Sequence, residues 1–272
     1  MTLIPDPIFL ATAVEAALAA GQIQRQYFRA LNQKLKVDKK GPIDLVTAAD
    51  LQVEREFRQL IQARFPSHSV LGEEQGSGVK DSEAPARHRW IIDPVDGTTN
   101  FAHGLALFCS SIALEIDGVV AVGAVYDPMA EELFTAERGV GAWLNGAPLR
   151  VSTCDRMLEA LLCTGFPYTV HDKRQQMVDV FAEFLGIAQG VRRLGSAALD
   201  LCYVGAGRFE GFWEQKLHPW DMAAAALIVE EAGGRVTDYQ DAPVDMFRGQ
   251  IVASNGHIHR AMIDAIGRAD AR

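Results

Sequence analysis

The run Trp90-Ile91-Ile92 passes directly into Asp93-Pro94-Val95-Asp96-Gly97-Thr98-Thr99-Asn100, and this junction limits what the chain can fold into. Three consecutive large apolar residues read as a buried strand, which needs other layers packed against its sheet. The strand then delivers two acids, three residues apart, at a sheet edge. Pro94 fixes its own φ and disfavours the helical region for Asp93, so the chain is expected to turn sharply with both carboxylates facing one space. Gly97 lets the backbone approach a ligand closely, and if residues 98–100 begin a helical turn, their free N–H groups form an anion site. Acids beside phosphate donors make an odd pairing unless cations lie between.

Two further acid-bearing stretches extend the pattern. Residues 69–72 form another short apolar run, ending in Glu73-Glu74, and Trp220-Asp221 heads an Ala-rich helix. Asp50 falls in the first turn of a helix whose apolar residues Val53, Phe57, Leu60 and Ile61 continue to Pro66, with Thr47 as its cap. Carboxylates sharing one site raise each other's pKa strongly, so a converging set at neutral pH implies bound metal. The ligands are all oxygen, which favours a hard ion such as Mg²⁺ over Zn²⁺. Two such ions can clamp the attacking and leaving oxygens of a phosphoryl transfer.

The rest of the chain is read for organisation. It has 272 residues, 49% of them apolar, and a formal net charge of -9. That excludes disorder and fibres, and works against binding a nucleic-acid backbone, which needs clustered Lys and Arg. Residues 8–31 repeat small or apolar side chains every three or four positions, from Phe9 through Ala13, Ala16, Ala20 and Ile23 to Tyr27, and predict a long packing helix. From residue 112 to 144 the period becomes that of strands, broken by Asp117-Gly118 and closed by Asn145-Gly146, the marks of an antiparallel meander. The second half alternates strands near Leu161, Val191 and 209–213 with helices over 172–184, 196–204 and 220–232, and ends in a helix from His257. The expectation is one integrated α/β unit of layered sheets and helices over 1–272, its halves 1–150 and 151–272. Four cysteines without a C-x-x-C pair read as reduced and buried, and the N-terminus lacks the basic stretch of a signal peptide, so a cytoplasmic protein is expected.

The segments Asp44-Leu45-Val46-Thr47-Ala48-Ala49-Asp50, Gly72-Glu73-Glu74, Trp90 to Phe101, and Trp220-Asp221 with Glu231-Ala232-Gly233-Gly234 resemble the inositol monophosphatase family of lithium-sensitive, metal-dependent phosphatases. The resemblance implies a layered αβαβα sandwich, a homodimer, and Mg²⁺ at two or three ions per site. It implies hydrolysis of a small polyol phosphate, inositol 1-phosphate above others, by direct attack of metal-activated water. Carried over by position, Glu73, Asp93 and the Val95 carbonyl would hold one ion, and Asp93, Asp96 and Asp221 the second. Glu73 and Thr98 would orient the water, with Asp50 supporting it. Gly97 and Thr98 would take the phosphate, while Asp96, Ala197 and Glu214 would lie at the substrate. Relatives with the same motif act on fructose 1,6-bisphosphate, histidinol phosphate or 3'-phosphoadenosine 5'-phosphate, and some bacterial ones serve as regulatory partners in transcription complexes.

Two other phosphatase patterns are present only in outline. Cys202 and Arg208 have the spacing of cysteine-dependent phosphatases, but Cys202 is expected within a helix, where a core thiol is not a nucleophile. Asp93 and Asp96 are one residue too far apart for a D-x-D aspartyl-phosphate motif. His218, next to Pro219-Trp220, reads as a structural hydrogen-bonder in place of a general acid.

Overall fold

The computed structural model describes residues 5–30, 37–39, 45–76, 87–167 and 174–270, with 37–39, 45–47 and 270 described by backbone alone. The expected cap at Thr47, the polar segment 34–44 with Gly41-Pro42, which reads as a loop or short strand, and the first residues of the helix expected from Asp172 lie largely or wholly outside the described side chains. Helix α1 spans Pro7–Ala30, and the short strands β1 (Val37–Lys39) and β2 (Leu45–Thr47) pair antiparallel before α2 (Ala48–Arg64). Strands β3 (Ser69–Gly72), β4 (His88–Asp96), β5 (Cys109–Ile116), β6 (Val119–Asp127), β7 (Glu132–Glu137), β8 (Gly141–Leu144) and β9 (Ala147–Pro148) form one open sheet in chain order. A single turn of helix, α3 (Thr98–Ala102), separates β4 from β5.

The second sheet holds β10 (Leu161–Thr164), β11 (Gly190–Arg192), β12 (Gly211–Gln215), β13 (Arg235–Thr237) and β14 (Gln250–Ser254), in the order β11-β10-β12-β14-β13. It is parallel over β11, β10 and β12 and antiparallel beyond. A single 3-10 turn over Met157–Glu159 and the helices α4 (Arg174–Ile187), α5 (Ala197–Gly205), α6 (Pro219–Glu231) and α7 (His259–Asp270) complete the described elements.

Five layers follow from which side chains bury together. Alternate residues of the first sheet divide between two cores, as the two-residue period of a strand requires. Trp90, Ile92, Ile112 and Leu114 pack under α1 and α2 with Ala13, Ala20, Phe57 and Ile61. Ile91, Ala113 and Val125 face the other way, onto α5 and α6. The far face of the second sheet carries Leu162, Trp213 and Val252 against Phe184 of α4 and Met262 of α7. The result is the α/β sandwich in the order helices, sheet, helices, sheet, helices.

Local chemistry explains the elements. The expected turns have left-handed φ at both central residues, Asp117 (51°) with Gly118 (83°) and Asn145 (49°) with Gly146 (80°), which matches the twist of the strands they join. Helix α6 is buried from Met222 to Val229 on every side, so it has no polar face to present and reads as apolar throughout. Its alanines let the sheets close on it: a methyl group added at Gly123 of β6 would lie 2.8 Å from the Ala224 carbonyl oxygen. Gly123→Ala is therefore expected to cost about 1–3 kcal/mol by overpacking against backbone, measured as a lower urea midpoint at unchanged slope.

Candidate active site

Strand β4 runs further than its apolar triplet suggests. The expected sharp turn at Pro94 is instead a bulge: Asp93 pairs with Ser111 and Asp96 with Cys109, three steps on β4 against two on β5. The extra residue has a decisive effect. In a regular strand, residues three apart point to opposite faces, so Asp93 would face α6 and Asp96 would face α2. The bulge restores the parity, and both carboxylates turn into the middle layer. Pro94 suits the position because it has no N–H to leave unpaired.

Each acid is then fixed by its surroundings. Asp93 Oδ1 accepts the N–H of Val95 at 3.0 Å. Asp96 takes the head of α5: its Oδ2 accepts Ser196 Oγ at 2.5 Å and Ala198 N at 2.7 Å, and its Oδ1 accepts Ala197 N at 3.2 Å. Asp221, in the first turn of α6, accepts the His218 N–H at 2.6 Å. Ligand atoms of Asp93, Asp96 and Asp221 come within 4.8 Å of one another, as do those of Asp50, Glu73 and Glu74. The two groups of acids adjoin, since Glu73, Asp96, Asp221 and Asp50 all act on Asp93.

The electrostatics show what such crowding does. Burial first, then Glu73, Asp96, Asp221 and Asp50, push the Asp93 carboxyl well above its ordinary range. Burial raises Asp96 despite the hydrogen bonds from Ser196, Ala198 and Ala197. Asp221 is pushed up to about 7 by burial and Asp96, against the hydrogen bonds to His218 and Asp93. A set of carboxylates that resists ionisation, with no Lys or Arg among its members, is the donor set of a hard divalent cation. The residues present fit such an ion.

The other expected residues surround this centre. Gly97 has φ 96°, and a Cβ there would lie 3.0 Å from the Leu107 carbonyl oxygen, so position and conformation both exclude a side chain. Thr98 Oγ1 donates to the Val95 carbonyl at 2.8 Å. Glu214 on β12 is buried against Gly165, and its carboxyl is raised well above the usual range by burial, then by Asp200 and Asp221, with Arg193 opposing. The Ala197 amide, expected to face substrate, donates to Asp96.

Three groups that hold this arrangement have little sequence signature. Asn100 Nδ2 donates to the carbonyls of Leu107 and Leu194, both at 2.9 Å, tying the β4–β5 connection to the loop before α5. Gln24 of α1 donates to the Pro94 carbonyl at 2.7 Å. Ser196 could have been found, as a serine before an apolar helix, but as a cap and not as a partner of Asp96. The Cys202 reading ends here too. That thiol is fully buried in α5 and pushed far up by burial, while Arg208 pairs with Glu132 at 2.6 Å. His218 stacks on Trp220 with ring centroids 4.7 Å apart. The cysteines are free, three of them buried and Cys154 only half-buried.

The sequence profile of the inositol monophosphatase family matches residues 8–270. The inositol-1-monophosphatase of Rhizobium meliloti is 42% identical over 255 residues, covering 94% of this chain and 94% of that protein. Nus factor SuhB of Pseudomonas aeruginosa is 41% identical over 258 residues, covering 93% of this chain and 94% of that protein. The crystal structure of extragenic suppressor protein suhB from Bartonella henselae superposes with a TM-score of 0.88 at 40% identity, covering 95% of this chain and 98% of that one.

The raised carboxyl of Asp221 makes stability depend on pH in a defined direction. Its folded value of about 7 exceeds the ordinary 3.8, so the metal-free fold holds a proton that the unfolded chain gives up. The stability this proton contributes is complete below 3.8 and is lost as pH rises through about 7. Metal-free wild type is thus expected to lose stability relative to Asp221→Asn between about pH 4 and pH 7, followed as the difference of two melting curves. A difference that stayed constant with pH would contradict the assignment.

Proposed function

This chain belongs to the inositol monophosphatase family, phosphoric monoester hydrolases by fold and acid clusters, and we propose that it hydrolyses a small polyol phosphate, inositol 1-phosphate first, with Mg²⁺. One observation carries the reading: Asp50 of α2, Glu73 of the turn after β3, Asp96 of β4 and Asp221 of α6 crowd around Asp93, and burial with this crowding raises Asp93, Asp96 and Asp221 above their ordinary range. We assign Glu73, Asp93 and the Val95 carbonyl to one ion, and Asp93, Asp96 and Asp221 to a second, with two or three ions per site. Bound there, Mg²⁺ supplies positive charge that neutralises the phosphoryl oxygens and makes a water acidic enough to serve at neutral pH.

The chain's own groups do the rest. Glu73 and Thr98 orient the attacking water and Asp50 supports it from α2. The N–H groups of Gly97 and Thr98 receive the phosphate. Water attacks phosphorus directly, the bond from phosphorus to the ester oxygen breaks, and the alcohol leaves with a proton from the water. No protein side chain is phosphorylated: Cys202 is enclosed and protonated, so it offers no thiolate. Asp96 and Glu214 face the polyol, and the backbone at Ala197, whose amide donates to Asp96, lies beside them. The Glu214 carboxyl suits hydroxyl groups and disfavours a second phosphate, which ranks a monophosphate ahead of fructose 1,6-bisphosphate or 3'-phosphoadenosine 5'-phosphate.

We read the chain as one unit whose halves, 1–150 and 151–272, share the site, and as a cytoplasmic homodimer that does not itself bind nucleic acid. Among the described residues no helix is long and apolar enough to cross a membrane. A second reading, a regulatory partner in a bacterial transcription complex, draws support from the 41% identity to Nus factor SuhB of Pseudomonas aeruginosa. Partners retained in a pull-down by Asp93→Asn would favour it as a role separate from catalysis.

The test is phosphate release from a panel of these esters with Mg²⁺, with EDTA and with lithium. Inositol 1-phosphate is expected to be cleaved fastest, and EDTA or lithium to abolish or depress the rate. Asp93→Asn and Asp221→Asn are expected to lower turnover at least about a hundredfold. Unchanged rates in both variants would refute the cation assignment.

A further inference from the structure

Helix α2 carries a second acid one turn after Asp50 that the reaction above does not use. The Glu54 side chain is fully buried. Its Oε2 accepts the N–H of Glu74 at 2.8 Å and its Oε1 the N–H of Gln75 at 3.1 Å. Arg58, one turn further along, donates Nε to Glu54 Oε1 at 2.8 Å, Nη2 to the Gly76 carbonyl at 2.7 Å and Nη1 to the Val70 carbonyl at 3.3 Å. The pair therefore grips both sides of the turn over 72–76, which is closed by reciprocal bonds between Gly72 and Gly76 at 3.0 and 3.2 Å. Gly72 leaves room for the grip, because a Cβ there would come 2.6 Å from the Glu54 carboxyl carbon.

We propose that Glu54 and Arg58 are positioning residues for the cation site, holding the turn that carries Glu73 and Glu74 at the distance from Asp50 and Asp93 that a divalent ion needs. The inference rests on the divalent-cation reading above. Its logic is electrostatic. Glu73 and Glu74 sit on a short, half-buried turn facing Asp50 and Asp93, and mutual repulsion drives such a turn outward. Charge-assisted hydrogen bonds to its backbone oppose that drift more strongly than neutral ones could. Arg58 also cancels the charge of Glu54, so the clamp adds no net negative charge beside the acids. Apart from Arg58, the hydrogen bonds Glu54 accepts all come from the turn, and the carbonyls Arg58 reaches lie at the turn or two residues before it. That distribution marks the pair as a support for the turn more than a staple for the helix.

The experiment is calorimetric titration of the full chain with Mg²⁺, alongside metal-free melting and the Mg²⁺ dependence of phosphatase activity. Glu54→Gln leaves one acceptor oxygen where two amides and a guanidinium now meet, and Arg58→Met removes the fork. Both are expected to weaken Mg²⁺ binding about 10- to 100-fold, the usual consequence of losing a support behind metal ligands. The Mg²⁺ concentration for half-maximal activity should rise in step, with little change in KM at saturating Mg²⁺. Arg64→Met, which breaks an ion pair between α2 and Glu15 of α1 at 2.8 Å, controls for loss of helix stability and should keep wild-type Mg²⁺ affinity. If Glu54→Gln fails to fold, Arg58→Lys carries the test, since it keeps the charge but cannot reach Glu54 and both carbonyls at once. Wild-type Mg²⁺ affinity in the folded variants, whatever their melting temperatures, would overturn the proposal alone. A wild-type chain that takes up no Mg²⁺ would overturn the cation reading and this proposal with it.

Discussion

Mutual repulsion among buried carboxylates is the constraint on which the rest of this structure depends. Burial first, and then the charges of Glu73, Asp96, Asp221 and Asp50 around it, drive the Asp93 carboxyl well above its ordinary range. A fold that assembles such a group by itself stores an unfavourable charge arrangement, which only protons or cations relieve. Every unusual feature nearby serves to keep the acids together despite this. The bulge in β4 turns Asp93 and Asp96 to the same side, the head of α5 binds Asp96 through three donors, and the Glu54–Arg58 pair grips the turn after β3.

The layered architecture is what makes that convergence affordable in packing terms. Asp93 and Asp96 come from the first sheet, Asp221 from the helix between the sheets and Glu214 from the second sheet, so the site sits where the middle layer meets both. An Ala-rich α6 allows the sheets to approach closely enough for this, with Gly123 set close against the Ala224 backbone. Core packing and site geometry are therefore linked: widening the middle layer would separate the carboxylates as well as loosen the apolar contacts. Preorganised acids of this kind need no reorganisation when a cation and a phosphate arrive.

Much of the fold was legible because periodicity reports burial directly. The face of α1 through Ala13, Ala16, Ala20 and Ile23 is buried as its spacing predicts, and both Asp-Gly and Asn-Gly turns join the strands expected of them. Boundaries were less legible. Strand β4 continues to Asp96, where Pro94 suggested an exit, because a bulge accommodates proline as readily as a turn does. Of the candidate site, the acids stood out as residue types in unusual spacing. Asn100 and Gln24, which hold the backbone around them, did not, since one amide side chain in a loop or helix resembles any other until its partner is known.

The sequence by itself determined the element types, the burial faces and the presence of acids at the ends of apolar runs, because these depend on neighbours within a few residues. Tertiary structure alone decided that Asp93 and Asp96 share a side, that the Ala197 amide belongs to Asp96, and that Glu54 reaches the backbone of Glu74. Those outcomes depend on parity across a bulge and on contacts between residues 20 to about 100 positions apart. No local pattern encodes such distances, since they are set by how the sheets and helices pack around one another.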